Sequence, residues 1–314
     1  MKIIFNNTSK ILVIVSFIIV SWASSVFASH QDNVHDEWNP ISAGPVTTWT
    51  APLCGKGKFV IQPFLFYNRT RGTFNADGNY DSLPQGDKKY QYQQQVFMQY
   101  GLTDKLEIDG QMVYQENFRK QGDLKAHADG LGDSYLFLRY CALEEEGNFP
   151  HLVGLFQLKL PTGKYEHADP NKLGTDLMGA TSGGGSYDQG LGLILTKKLK
   201  PFIFHADAVY SFPQEVKVDG VKTKYGQYLN YDFGLEYILG KGFNLMLECN
   251  GFLQGDKKEG GQRVVDSDIR YLTIAPGIGW SNAKVQALLA YQRTLTGTNT
   301  DANDSVVLTL VYTF

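Results

Sequence analysis

The sequence predicts an all-β fold: a transmembrane antiparallel up-and-down β-barrel of about 12 strands, behind a cleaved signal peptide. Three observations predict it. The last ten residues, Ser305 to Phe314, alternate strictly and end on an aromatic; the amino terminus carries an export signal; and period-two segments are separated by gaps that alternate between short and long. The expected organisation is 1–28 signal peptide, 29–57 a periplasmic amino-terminal segment and candidate plug, and 58–314 the barrel.

The closing strand is the clearest element. Val306, Leu308, Leu310, Tyr312 and Phe314 fall on one side, and Ser305, Val307, Thr309, Val311 and Thr313 on the other, because side chains along a strand alternate with period two. One side suits lipid and the other water.

At the opposite end, Lys2 and Lys10 form a positive n-region, Ile11 to Val20 an apolar h-region, and Val26-Phe27-Ala28 a small-residue cleavage site before Ser29. The apolar run is too short for a membrane-spanning helix, and no later run reaches the roughly 18 residues needed. Loss of Lys2 and Lys10 takes the formal charge from −3 to −5, which gives no reason to expect a nucleic-acid partner. In hydrocarbon every backbone polar group must be paired within the protein, so an exported chain that enters a bilayer without helices has to close its sheet.

Twelve period-two segments are legible: 58–67, 91–101, 105–115, 132–142, 151–160, 186–196, 201–211, 227–239, 242–254, 268–280, 284–295 and 304–314. Tight gaps such as Leu102-Thr103-Asp104 and Gly240-Lys241 alternate with long ones such as 68–90, 161–185 and 296–303. Short periplasmic turns and longer extracellular loops give this rhythm in an outer-membrane barrel, and an even strand count leaves both ends of the barrel on the periplasmic side.

Strand parity nominates the lumen. Over 105–115, Leu106, Ile108, Met112 and Tyr114 face out, leaving Glu107 and Asp109 inside; over 228–239, Asp232 and Glu236 oppose Phe233, Leu235 and Tyr237. The same count turns Asp133, Arg139, Lys159, His205, Asp207 and Glu248 inward. A charge on the lipid face costs roughly 2–4 kcal/mol near the midplane, so the parity is strongly specified.

Gly130 to Tyr140 (Gly-Leu-Gly-Asp-Ser-Tyr-Leu-Phe-Leu-Arg-Tyr), Leu158 to Tyr165, Tyr100 to Glu107 and Asp188-Gln189-Gly190-Leu191-Gly192 together resemble the outer-membrane β-barrel transporter family of the meta-pathway of phenol degradation. The resemblance implies fold, outer-membrane location in a Gram-negative bacterium, and aromatic uptake. Its motifs are turns and strand ends, so it transfers no solute ligand. The closing strand itself resembles that of bacterial outer-membrane β-barrels in general, which implies that Phe314 is read by the barrel-assembly machinery.

Twelve strands tilted near 40° and about 4.8 Å apart give a backbone diameter of roughly 24 Å and a clear width of about 10 Å. The expected function is therefore passive or facilitated uptake of small solutes, aromatic or hydrophobic ones included, by a channel or transporter whose partners are membrane lipid and the solute. The lumenal charges have two readings, a polar constriction biased toward cations or a salt-bridged closed barrel. Segments 29–57 and 161–185 are the candidate gates.

The competing classes are a lipid-acting outer-membrane enzyme and a non-conducting receptor or adhesin barrel. The histidines, His30, His35, His127, His151, His167 and His205, do not set a base beside a lipid-facing nucleophile. No catalytic residue, cofactor or metal is expected: His-Glu-x-x-His and Cys-x-x-Cys are both missing from the sequence. Cys54 and Cys141 both fall near the periplasmic rim and are candidates for a disulfide.

Overall fold

A computed structural model describes residues 38–42, 44–163, 185–218, 220–282 and 284–314. The expected signal peptide 1–28, His30, His35, His167 and most of the 161–185 loop lie outside the described residues. The alternating segments form twelve long strands: β1 (Phe59–Phe74), β2 (Lys88–Gly101), β3 (Leu106–Gln121), β4 (Ser134–Leu143), β5 (His151–Leu160), β6 (Asp188–Leu199), β7 (Phe202–Pro213), β8 (Tyr228–Gly240), β9 (Phe243–Gln254), β10 (Ile269–Ser281), β11 (Val285–Thr298) and β12 (Thr300–Thr313). Each pairs antiparallel with its chain neighbours, and β12 returns to β1 with Leu65 opposite Leu308 and Phe74 opposite Thr300. Closure removes both sheet edges, which is the condition for a sheet to sit in hydrocarbon.

The outer face is built for a bilayer. Leu65, Ile108, Leu193, Leu247 and Leu308 are exposed on it. Tyr100, Tyr140, Phe202, Tyr237, Phe243 and Tyr312 ring the end that carries the short turns, and Tyr67, Tyr92, Tyr210, Phe212 and Tyr291 form a second ring farther along the strands. Two aromatic girdles around an apolar band are the signature of an outer-membrane barrel, whose short turns are periplasmic.

β1, β2, β3, β11 and β12 run three or more residues farther outward than the alternation suggests. β1 has 16 residues, about 54 Å at a rise near 3.4 Å per residue, whereas the apolar band is only about 25 Å tall. Beyond the outer girdle the backbone ladder continues with polar side chains, so the apolar alternation stops while the strand does not. The expected loop 296–303 shrinks to Asn299 alone, at φ 49°, between β11 and β12. The expected loop 116–131 is largely a hairpin, with Leu124–Leu131 paired to the upper half of β3. Tyr80–Ser82 likewise pairs with the end of β1. The loops after β7 and β9 fold together into a four-stranded sheet of Val216–Val218, Val221–Lys224, Lys258–Glu259 and Gln262–Arg263.

Residues 39–57 belong to the same compact unit as the barrel. They supply its core: Val46 packs with Val60, Met246, Leu288 and Val307, and Ala51 with Phe137, Val153, Ile194 and Val209, flanked by Trp49 and Leu53.

Candidate functional site

The amino-terminal segment crosses the inside of the barrel, and the inward carboxylates hold it. Glu248 accepts from the amides of Val46 (2.7 Å), Thr47 (2.9 Å) and Thr48 (2.8 Å), and from the hydroxyls of Thr47 (2.8 Å) and Thr48 (3.0 Å). Asp207 accepts from the Trp49 amide at 2.9 Å, and Glu107 from the Cys54 amide at 2.6 Å. The Ala51 amide donates to Thr196 Oγ1 at 2.9 Å, and Arg139 Nη1 donates to the Thr50 carbonyl at 3.0 Å. Ser42 bonds to Glu236. A strap without secondary structure exposes unpaired backbone amides, and a wall of buried carboxylates is the complement they need.

The contacts are steric as well as polar. Trp49 sits edge-on to Phe97 (5.3 Å) and Phe137 (5.0 Å), with the Arg139 guanidinium 5.2 Å from its ring centre. Gly234 faces inward beneath Pro45, and a Cβ there would lie 2.9 Å from the proline Cγ. Glycine at that lumenal position lets the strap lie against the wall.

Each residue nominated from sequence has a definite place. Glu107 and Asp109 converge on Arg139, whose Nε lies 2.8 Å from Asp109 Oδ2 and whose other nitrogen pairs with Glu107; all three are buried. Lys159 bridges Asp188 (2.8 Å) and Asp133 (3.5 Å) at the outer end. His205 contacts Glu236 through Nε2 at 2.8 Å and Thr196 Oγ1 through Nδ1 at 3.0 Å. Asp207 and Asp232 stand directly opposite each other on β7 and β8, and Asp232 accepts from Asn250 at 2.9 Å. Among the described residues, Asp207, Asp232 and Glu248 have no ion pair, so the middle of the lumen is net acidic.

The proposed bridge between Cys54 and Cys141 is corrected: both are free thiols, as is Cys249. Cys141 is buried in the Phe137–Val153 cluster with His151 Nε2 3.3 Å from its sulfur, whereas Cys54 packs on the Val46–Val60 cluster. The two sulfurs sit against different walls of the core. Burial, reinforced by the Glu107 carboxylate, pushes the Cys54 thiol up to about 12.

On the outer side of the strap lies a cavity of about 400 Å³. Asn230, Asn250, Gln292, Thr47, Thr273 and Asn303 line it with amides and hydroxyls, Asp232 and Asp301 with carboxylates, and Tyr271 with a ring. Phe252 stacks on Tyr271 at 5.2 Å and lies tilted by 36° against Tyr228 at 5.6 Å, so an aromatic row backs one wall. Neither charge nor parity singles out these neutral groups or Thr196, whereas the strap residues fall within segment 29–57, expected above as a candidate plug. The available signals were the Pro45-Val46-Thr47-Thr48-Trp49-Thr50 run and an inward glycine amid larger side chains.

An outer membrane channel from Pseudomonas putida F1 is similar over 91% of this chain and 100% of its own, with a TM-score of 0.67 at 16% identity. The TodX monoaromatic hydrocarbon channel (TM-score 0.41, 9% identity, 82% of this chain and 90% of its own) and the NanC porin (0.47, 8%, 80% and 98%) are more distant barrels. No curated protein matches the chain. The family described as "Putative MetA-pathway of phenol degradation" matches residues 117–310. The chain is thus an outer-membrane β-barrel, and it belongs to that family.

Proposed function

We propose that this barrel is a strap-gated channel for passive or facilitated uptake of small solutes that join one flat ring to a polar group, the chemistry of a phenol. The cavity above the strap carries the reading: Tyr271, backed by Phe252, offers a ring face, while Asn230, Asn250, Gln292 and Thr273 offer donors and acceptors around it. Small-solute sites combine apolar walls with a few placed polar groups in this way. The acidic residues Asp232, Asp207 and Glu248 disfavour anionic aromatic acids relative to neutral phenols. The family's description is consistent with this class.

The enzyme alternative draws on the Thr196–His205–Glu236 chain, which has the order of a nucleophile, a base and an orienting carboxylate. Thr196 Oγ1 already accepts the Ala51 amide, and Thr196 and Glu236 are 2% and 0% exposed. A buried hydroxyl already bonded to the strap has no room for a substrate, which supports a structural role for the trio.

The test is proteoliposome influx of phenol, benzoate and a neutral sugar. Phenol is expected to enter fastest, and Tyr271→Ala to slow phenol severalfold while leaving the sugar rate unchanged. Equal rates for all three solutes, unaffected by Tyr271→Ala, would contradict the reading.

A further inference from the structure

The small sheet outside the barrel sorts its charges by face. Lys217 pairs with Lys222 across one ladder, Lys224 with Lys258 across the next, and Lys258 with Arg263 across the third. Cross-strand partners share a face, as do residues two apart along a strand, so Lys217, Lys222, Lys224, Lys258 and Arg263 all project from the same side. All five are exposed. The other side carries Val216, Val218 and buried Thr223, together with Glu259, which pairs with Lys257 at 2.7 Å.

Two carboxylates meet the cationic side. Glu215 lies 3.4 Å from Lys222, and Asp256 pairs with Arg263, an interaction that holds the Asp256 carboxyl below the usual range. Among the described residues Lys217, Lys224 and Lys258 have no ion-pair partner. Like charges directly opposite in a ladder destabilise it. Three such rows on one face therefore call for an anionic counterpart outside the chain.

Position selects that counterpart. Phe212 belongs to the outer aromatic girdle, and Lys217 follows it by five residues, at most about 18 Å of chain. That reach keeps the sheet within range of the phosphorylated saccharide layer of the outer leaflet. A collar that harvested anionic solutes would feed them into a lumen where Asp207, Asp232 and Glu248 repel them, so the lumen argues against that use.

We propose that the Lys217–Lys222–Lys224–Lys258–Arg263 face binds the phosphate groups of outer-leaflet lipopolysaccharide. Its strands present an array of cations about 5–7 Å apart to phosphates on neighbouring sugars. Bound lipid would brace the loops after β7 and β9, next to the channel's outer mouth.

The experiment measures binding of purified lipopolysaccharide to the full mature chain in detergent by native mass spectrometry. The comparisons are phosphatase-treated lipopolysaccharide and the triple variant Lys217→Gln, Lys224→Gln, Lys258→Gln. Phosphorylated lipid is expected to bind the wild type roughly 100-fold more tightly than either comparison, as three surface lysines near a phosphate layer warrant. The matching Lys→Arg triple, with unchanged heat-modifiable mobility, is expected to retain the affinity. Equal binding by the wild type and a folded Gln variant, or equal binding of phosphatase-treated lipid, would overturn the proposal. Displacement by millimolar inorganic phosphate alone would also overturn it, by showing a site for free anions.

Discussion

Glu248 is fully buried and accepts three amides and two hydroxyls from Val46, Thr47 and Thr48. A carboxylate so placed is stable only while those donors surround it, and the donors are satisfied only while it is charged. The same interdependence holds at Arg139, which pairs with both Glu107 and Asp109 and also donates to the Thr50 carbonyl. Arg139→Met strands two buried carboxylates. It is expected to cost roughly 3–5 kcal/mol, read as a lower urea midpoint in micelles, and Arg139→Met with Glu107→Gln and Asp109→Asn is expected to recover most of the loss. On the lipid side Leu308→Arg is expected to cost about 2–4 kcal/mol near the midplane, whereas Val221→Arg, beyond the outer girdle, is expected to be neutral in the same assay. Which charges face inward was readable from parity, because the alternation at Glu107, Asp207 or Glu248 is a property of the strand. Their partners were not. Glu248's donors come from about 200 residues away in sequence, and parity carries no information on what a lumenal side chain meets.

At the scale of elements, the strap 39–57 behaves as a thirteenth wall segment that lacks a ladder. Its amides bond to side chains, its apolar residues complete both core clusters, and Gly234 makes space for Pro45. Gly234→Val is therefore expected to expel Pro45 and weaken the strap without disturbing β8, whose inward parity tolerates valine. Cys54 reports on this. With its thiol pushed up to about 12, the thiolate fraction at pH 8 is minute, and the wild type is expected to react slowly with maleimide at pH 8 and about tenfold faster per pH unit above it. Releasing the strap through Gly234→Val is expected to bring Cys54 toward the ordinary thiol range and speed its labelling at pH 8. Unchanged labelling in that variant would count against a strap held by its contacts. The strands were legible as elements since lipid imposes alternation on them. The outer ends of β1, β2, β3, β11 and β12 and the four-stranded loop sheet were not, because above the girdle neither face meets lipid and a polar ladder has no apolar period.

For the whole molecule, twelve strands, two girdles and a closed register define a passage, and on the proposed function the strap bonded across it is the gate. Barrel, membrane and strand number followed from the rhythm of the chain, whereas the state of the lumen depends on a segment whose sequence has no period at all. The most direct measurement is single-channel conductance in a planar bilayer of the refolded wild-type barrel with its strap beside Glu248→Ala, which removes five of the strap's bonds at once. Small, brief steps are expected from the wild type and severalfold larger, long-lived steps from the variant. Identical steps from the two proteins, both folded by heat-modifiable mobility, would contradict it.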